Sequence, residues 1–215
     1  MGPQSDMGWT DLDDFLRRAE ARLDAPRGES RLPEGGDMSF QPEDRLGEIR
    51  PAAVLIGILP RPSGPNVLLT KRPATMPTHA GQVAFPGGKV EPDDADDVAA
   101  ALREAHEEVG IDPKRTQLVG RGSAYLTGTA FRIMPVIGIL PPDFQPVPDP
   151  TEVDEAFETP LGFLMDPTNH MAKATVWRGK ERHYYEMPHN GYRIWGVTAG
   201  IIRMLYERLY GAEAT

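Results

Sequence analysis

The stretch Asp97–Gly110, DVAAALREAHEEVG, constrains the chain more than any other. Val98, Leu102, Ala105 and Val109 recur at helical spacing, so one side of a helix must be buried against another layer. Glu104, Glu107 and Glu108 fall on another side. Residues three and four apart are neighbours on a helix, so the three carboxylates can converge on one point. Like charges at that spacing cost stability. A hard divalent cation such as Mg²⁺ or Mn²⁺ prefers oxygen ligands and would relieve the repulsion while bridging carboxylates to phosphates. Acidic runs are more often plain solvated helix faces, and three glutamates alone favour that reading. The upstream context tips the balance. A glycine turn, FPGGK (Phe85–Lys89), precedes the helix, and glycine permits close backbone approach to a ligand or metal. Arg103 can steady a neighbouring glutamate by a charge-assisted hydrogen bond.

The rest of the chain reads as successive strands and a closing helix. AAVLIGIL (Ala52–Leu59) reads as a buried strand, and NVLLTKR (Asn66–Arg72) as a second one after the turn signal RPSGP. QVAF (Gln82–Phe85) is short and extended. SAYLTG (Ser123–Gly128) and FRIMPVIGIL (Phe131–Leu140) form a further strand pair, followed by a Pro-rich loop, PPDFQPVPDPTE (Pro141–Glu152). ATVWR and RHYYEM read as a hairpin joined by Gly179 and Lys180. WGVTAGIIRMLYERLYG (Trp195–Gly211) reads as a helix with Thr198, Ile201, Ile202, Leu205 and Leu209 on one face and Gly211 as its stop. This order predicts a mixed α/β sandwich, occupying residues 50–215.

Residues 1–49 form an N-terminal extension. WTDLDDFLRRAEARL (Trp9–Leu23) is helical, with Thr10 as N-cap and Leu12, Phe15, Leu16 and Leu23 on one face. That face packs on the domain or on a partner in a homodimer. Asp24–Glu48, rich in Pro, Gly and charge, reads as linker.

Composition removes several function classes. The formal charge of −9 over 215 residues argues against binding nucleic acid or an anionic membrane through bulk charge. It leaves room for a nucleotide-like substrate held through a metal. The absence of cysteine excludes disulfides, thiolate catalysis and zinc–thiolate sites, and fits a reducing cytosol. The polar, acidic start lacks the pattern of a secretory signal, and Ala52–Leu59 is too short to span a membrane. The expectation is a soluble cytoplasmic protein.

The residues Gly88–Ile111, GKVEPDDADDVAAALREAHEEVGI, resemble the Nudix box. That box runs glycine, five free positions, glutamate, seven free positions, then Arg-Glu-aliphatic-x-Glu-Glu-x-Gly-aliphatic. Arg103, Glu104, Ala105, Glu107, Glu108, Gly110 and Ile111 match its second half. The first half departs: Asp94 stands where the glutamate is expected, and eight residues rather than seven separate it from Arg103. Asp94, Asp96 and Asp97 are the candidate substitutes for a residue that is mainly a structural partner in the family. LLTKRPATMPTHAGQVAFPGG (Leu68–Gly88) is similar to the segment before the box in coenzyme A pyrophosphatases of that superfamily, through Leu68, Leu69, Thr70, Arg72, Gly81, Phe85, Pro86, Gly87 and Gly88. Pro73 and Met76–His79 depart from that segment's pattern. Glu152–Leu164 and Tyr192–Ile202 resemble later segments of the same subfamily.

The resemblance implies an α/β/α sandwich around a mixed sheet and metal-dependent hydrolysis of a nucleoside diphosphate derivative. Glu104 and Glu108 would be metal ligands, Glu107 a ligand or the base, and the Gly88 carbonyl part of the same shell, with Arg103 orienting a glutamate. Glu152 and Glu155 are rivals for the base. Coenzyme A or its thioesters would be cleaved to 3′,5′-ADP and a 4′-phosphopantetheine product. Lys71, Arg72 and Lys89 are the candidate substrate-binding cations. The alternatives are the same chemistry on ADP-ribose or a dinucleotide, or a non-catalytic binding module of the same fold.

Overall fold

A computed structural model describes residues 11–32, 34–36, 49–76, 79–177 and 180–211. In chain order the elements are α1 (Leu12–Arg22), β1 (Gly35–Gly36), β2 (Arg50–Arg61), β3 (Gly64–Lys71), β4 (Val83–Ala84), β5 (Gly87–Lys89) and α2 (Asp97–Val109). They continue with β6 (Gln117–Arg121), β7 (Tyr125–Leu126), β8 (Phe131–Ile139), β9 (Glu155–Pro160) and α3 (Leu161–Met165). The last are β10 (Met171–Trp177), β11 (Lys180–His189), β12 (Tyr192–Trp195) and α4 (Val197–Leu209).

The apolar run at Ala52–Leu59 becomes the central strand, β2. It pairs in parallel with β8 along Arg50–Ile58 and antiparallel with β3 at its far end. A strand covered on both faces reads as a continuous apolar run, and β2 shows why. Ala53, Leu55 and Leu59 face one core with α2, while Ile56 and Ile58 face the other with α1, α3 and α4. Among the described residues, nine strands form this mixed sheet and three more, β10–β11–β12, form a separate antiparallel one. The result is the expected α/β/α sandwich around a mixed sheet.

α1 is part of the same core. Phe15 and Ala19 are buried in the cluster that contains Leu205, Tyr206 and Leu209 of α4. Arg22 and Arg18 donate to the Leu209 carbonyl, at 2.7 and 3.3 Å, so α1 also caps the end of α4. Of the expected apolar face of α1, Phe15 is buried in this core and Leu12, Leu16 and Leu23 pack against it partly buried. Asp11, not Thr10, is the N-cap, accepting from the Asp13 amide at 2.9 Å; Thr10 lies outside the described residues, as do 37–48 of the expected linker. Within that linker, Asp24 is tied to Arg121 by an antiparallel bridge, and Gly35–Gly36 pairs with β7.

Two other boundaries move. Trp177 pairs with Lys180, so Lys180 begins β11 instead of belonging to the turn. Trp195 ends β12, and α4 starts at Val197 after Gly196, whose φ of 63° suits glycine. A short extended end was hidden because Trp195 also continues the helical pattern. The expected apolar face of α4 is buried at all five positions. Among the described residues no helix is long and apolar enough to cross a membrane.

Candidate active site

The site is assembled where β5 meets α2. β5 pairs with β2, setting Gly88 opposite Ala53, and Gly87 has a φ of 153° that only glycine adopts comfortably. Asp96 caps α2 by accepting from the Ala99 amide at 2.8 Å, and Gly110 ends it in the left-handed conformation at φ 74°. Val98, Ala105 and Val109 anchor the helix as expected, joined by Ala100 and Ala101; Leu102 is only partly buried. The opposite side of α2 looks back over Gly88. A Cβ on Gly88 would come within 2.6 Å of both carboxylate oxygens of Glu104, so the absence of a side chain makes room for this acid.

Three acids converge there, and the third is not the one expected. Glu104, Glu108 and Glu152 each present a carboxylate oxygen, all within 4.8 Å of one another. Glu107 turns aside: its side chain is 55% exposed and accepts from Arg103 Nη1 at 3.2 Å. The helical geometry explains this, because a residue three on from Glu104 is displaced around the helix by more than one four on. Glu152 arrives from the Pro-rich loop, which is fastened to the last turn of α2. The Val147 amide donates to the Val109 carbonyl at 3.0 Å and the Asp149 amide to the Glu108 carbonyl at 2.9 Å. Asp149 then accepts from the amides of Glu152 and Val153 through its own carbonyl, turning Glu152 toward the helix. Nothing in the spacing of the sequence linked Glu152 to α2 beyond its place after the loop.

Arg103 braces the cluster. It donates to Glu104 at 3.0 Å, to the Lys89 carbonyl at 3.1 Å, and to Asp94 through two bonds of 3.0 and 2.9 Å. Asp94 is therefore the substitute for the expected glutamate, while Asp96 is the helix cap. Hydrogen bonding from Arg103 holds the Asp94 carboxyl below its usual range. Glu155, the other rival base, accepts from the Tyr192 hydroxyl at 2.5 Å and pairs with Lys71 in the β3–β9 register.

The electrostatics are those of crowded, partly buried carboxylates. Burial pushes the Glu108 carboxyl up to about 8, with the charges of Glu104 and Glu152 adding to the effect and Arg72 and the Gly87 amide opposing it. Glu104 is raised too, first by burial, against the pull of Arg103. Three clustered oxygen donors are a suitable set for a hard divalent cation.

A cavity of about 880 Å³ adjoins the cluster, with Arg72, Gly87, Gly88 and Lys89 in its lining. Two of the three expected substrate-binding cations are thus on it. Lys71 is not; it faces Asp154 at 3.3 Å. His106 points away and pairs with the Ile111 carbonyl at 3.0 Å, in keeping with no catalytic role.

Clustered carboxylates on a braced helix, beside a cavity in an α/β/α sandwich, define an enzyme-like site suited to a divalent cation. Residues 49–177 match the NUDIX domain family. An uncharacterized Nudix hydrolase, NudL, of Cronobacter sakazakii is 44% identical over 73% of this chain and 81% of its own length. The NudL of Photorhabdus laumondii is 35% identical over 92% of this chain and 97% of its own length. Nudix hydrolase 15, mitochondrial, of Arabidopsis thaliana is 40% identical over 73% of this chain, which spans 59% of that longer protein. The chain belongs to the Nudix family and is a Nudix hydrolase. A solved Nudix hydrolase from M. smegmatis, RenU, aligns at a TM-score of 0.45 and 20% identity over 68% of this chain and 80% of that one.

Proposed function

We propose that this Nudix hydrolase cleaves the diphosphate of coenzyme A or its thioesters, releasing 3′,5′-ADP and the 4′-phosphopantetheine product, with Mg²⁺ or Mn²⁺ as cofactor. The observation that carries the reading is that Arg72 and Gly88, from the segment similar to coenzyme A pyrophosphatases, join the acid cluster to the cavity. Arg72 acts on the charge of Glu108, Gly88 packs on Glu104, and both line the cavity.

Glu104, Glu108 and the Gly88 carbonyl would hold the ion, with Glu152 as a further ligand and Glu107 as ligand or base. When bound, the ion neutralises the diphosphate and acidifies a water molecule. Arg103 orients Glu104 and keeps Glu107 beside it. Glu107 accepts the proton as a P–O bond to water forms and a bridging P–O bond breaks. Arg72 and Lys89 attract the diphosphate from the cavity side. An acidic protein can thereby take an acidic substrate. Location in the cytoplasm is part of the same reading and fits a cysteine-free sequence.

The test is a product assay with Mg²⁺ and with Mn²⁺ over coenzyme A, acetyl coenzyme A, ADP-ribose and dinucleotides. Coenzyme A and its thioester should give 3′,5′-ADP at the highest kcat/KM. Turnover of ADP-ribose or a dinucleotide without turnover of coenzyme A would replace the substrate while keeping the site.

A further inference from the structure

The cavity is far more basic than the chain around it. The sequence carries 32 Asp and Glu against 23 Lys and Arg. Yet, among the described residues, the cavity is lined by Arg72, Lys89, Arg182 and Arg193 with His79 and His183, and by no carboxylate. Such a lining favours a ligand with more negative charge than the acid cluster and its cation would neutralise.

The four cations divide into two groups. Arg72 and Lys89 flank the glycine turn and serve the diphosphate. Arg182 and Arg193 come from β11 and β12, on the separate three-stranded sheet, far from the Nudix box in sequence. Arg193 is held in place. Glu186 accepts from its Nε at 2.9 Å and its Nη2 at 2.6 Å, and its guanidinium lies 4.4 Å from the centre of the Trp195 ring. Tyr184 meets Trp195 edge-on at 5.7 Å, completing the brace. Glu186 is not in the cavity lining, whereas Arg193, Tyr184 and Trp195 are. The first turn of α4 opens on the same space through Gly196, Val197 and Thr198, and no side chain caps it. A guanidinium fixed from behind by Glu186 and a second arginine, in a lining that holds no carboxylate itself, suit a phosphate monoester. Lys71 lies off the cavity against Asp154, and Arg72 and Lys89 flank the glycine turn beside the acid cluster.

Resting on the coenzyme A reading above, we propose that β11 and β12 form a second phosphate site, with Arg182 and Arg193 holding a phosphomonoester on the ribose of the substrate's nucleoside half. The three-stranded sheet is then the specificity element, distinct from the hydrolytic centre on α2. A substrate without that phosphate loses these contacts while keeping the diphosphate contacts.

The experiment is isothermal titration of the full chain with 3′,5′-ADP and with 5′-AMP, which differ only in that phosphate. The wild type should bind 3′,5′-ADP about ten- to hundred-fold more tightly. Arg182→Gln and Arg193→Gln should each reduce that preference, and kcat/KM for coenzyme A over 3′-dephospho-coenzyme A should fall with it. Equal affinity of the wild type for the two nucleotides overturns the proposal without any variant, as does full preference in both variants. Preference for 3′,5′-ADP without turnover of coenzyme A would fail the substrate reading and keep the phosphate site. Turnover of coenzyme A without that preference would do the reverse.

Discussion

Arg103 and Asp94 meet side by side, Nε to Oδ1 at 3.0 Å and Nη2 to Oδ2 at 2.9 Å. The paired geometry resolves the departure from the family pattern. An aspartate is one methylene shorter than the glutamate it replaces, and the loop to Arg103 is one residue longer. The longer loop carries the shorter side chain to the same guanidinium. Asp94→Ala should cost about 1.5–3 kcal/mol, the range for hydrogen bonds to charged groups, and lower kcat because Arg103 no longer holds Glu104 in place. Thermal unfolding and steady-state kinetics check this; unchanged Tm and kcat would remove the brace from the account.

Burial and like charge make Glu108 a pH-dependent liability in the metal-free protein. Its carboxyl is raised from 4.5 to about 8 in the fold. Between those values the folded chain binds more protons than the unfolded one, so stability falls as pH rises. The loss should approach a few kcal/mol by pH 8, an order-of-magnitude figure from the linkage relation. Urea unfolding with chelator at several pH values between 5 and 8 should show the decline, and Glu108→Gln or saturating Mg²⁺ should flatten it. A flat profile for the metal-free wild type would contradict the crowding of Glu104, Glu108 and Glu152.

The sequence made α2 legible because its period and its chemistry coincide. Val98, Leu102, Ala105 and Val109 repeat every three or four residues, and the same repeat places Glu104 and Glu108 together. β2 was legible for a similar reason, since burial on both faces leaves an unbroken apolar run. What spacing could not show lies in contacts between distant segments. Glu152 reaches the site only because Val147 and Asp149 bond to the last carbonyls of α2. Glu107 leaves it because its rotation on the helix favours Arg103. The cavity wall of Arg182 and Arg193 depends on the docking of a three-stranded sheet whose pattern alone carries no sign of what it faces. Asp94 could be counted as one of three candidates, but only its pairing distinguishes it from the helix cap Asp96.

Gly88 is where the backbone and the acids come closest. A Cβ there would lie 2.5 Å from the carboxylate carbon of Glu104. Gly88→Ala should therefore displace Glu104 and cost about hundred-fold in kcat, the effect of a misplacement near 1 Å, with a matching loss in Mn²⁺ affinity by titration. Gly81→Ala is the control: its φ is 67° and nothing lies within 4 Å of the added carbon. It should cost only about 1–2 kcal/mol of left-handed backbone strain and leave Mn²⁺ affinity alone. Equal Mn²⁺ affinity in Gly88→Ala and wild type would mean that Glu104 does not bind the ion.

Phe15 tests whether the N-terminal helix belongs to the domain. Its side chain is fully buried, at 0% exposure, among residues of α4. Phe15→Ala should cost about 3–5 kcal/mol, the range for a large aromatic removed from a core, read as a lower urea midpoint with an unchanged m-value. A change under about 1 kcal/mol, as for a surface position, would detach α1 from the core.

The three acids that competed for the role of base now occupy different places, and that separates their variants. Glu155 is taken up by the Tyr192 hydroxyl, so Glu155→Gln should leave kcat within a few-fold. Glu152 shares the cluster with Glu104 and Glu108, so Glu152→Gln should weaken Mn²⁺ binding at least about tenfold, by comparison with losses seen around metal sites. Saturating metal should then restore much of its rate. Glu107 stands outside the cluster but beside it, with Arg103 between, so Glu107→Gln should lower kcat about 10²–10⁴-fold, as for a lost general base, and metal should not restore it. The decisive measurement is kcat against Mn²⁺ concentration for each variant. If metal rescues Glu107→Gln but not Glu152→Gln, the two residues exchange roles: Glu152 takes the proton, and Glu107 swings from Arg103 to the ion.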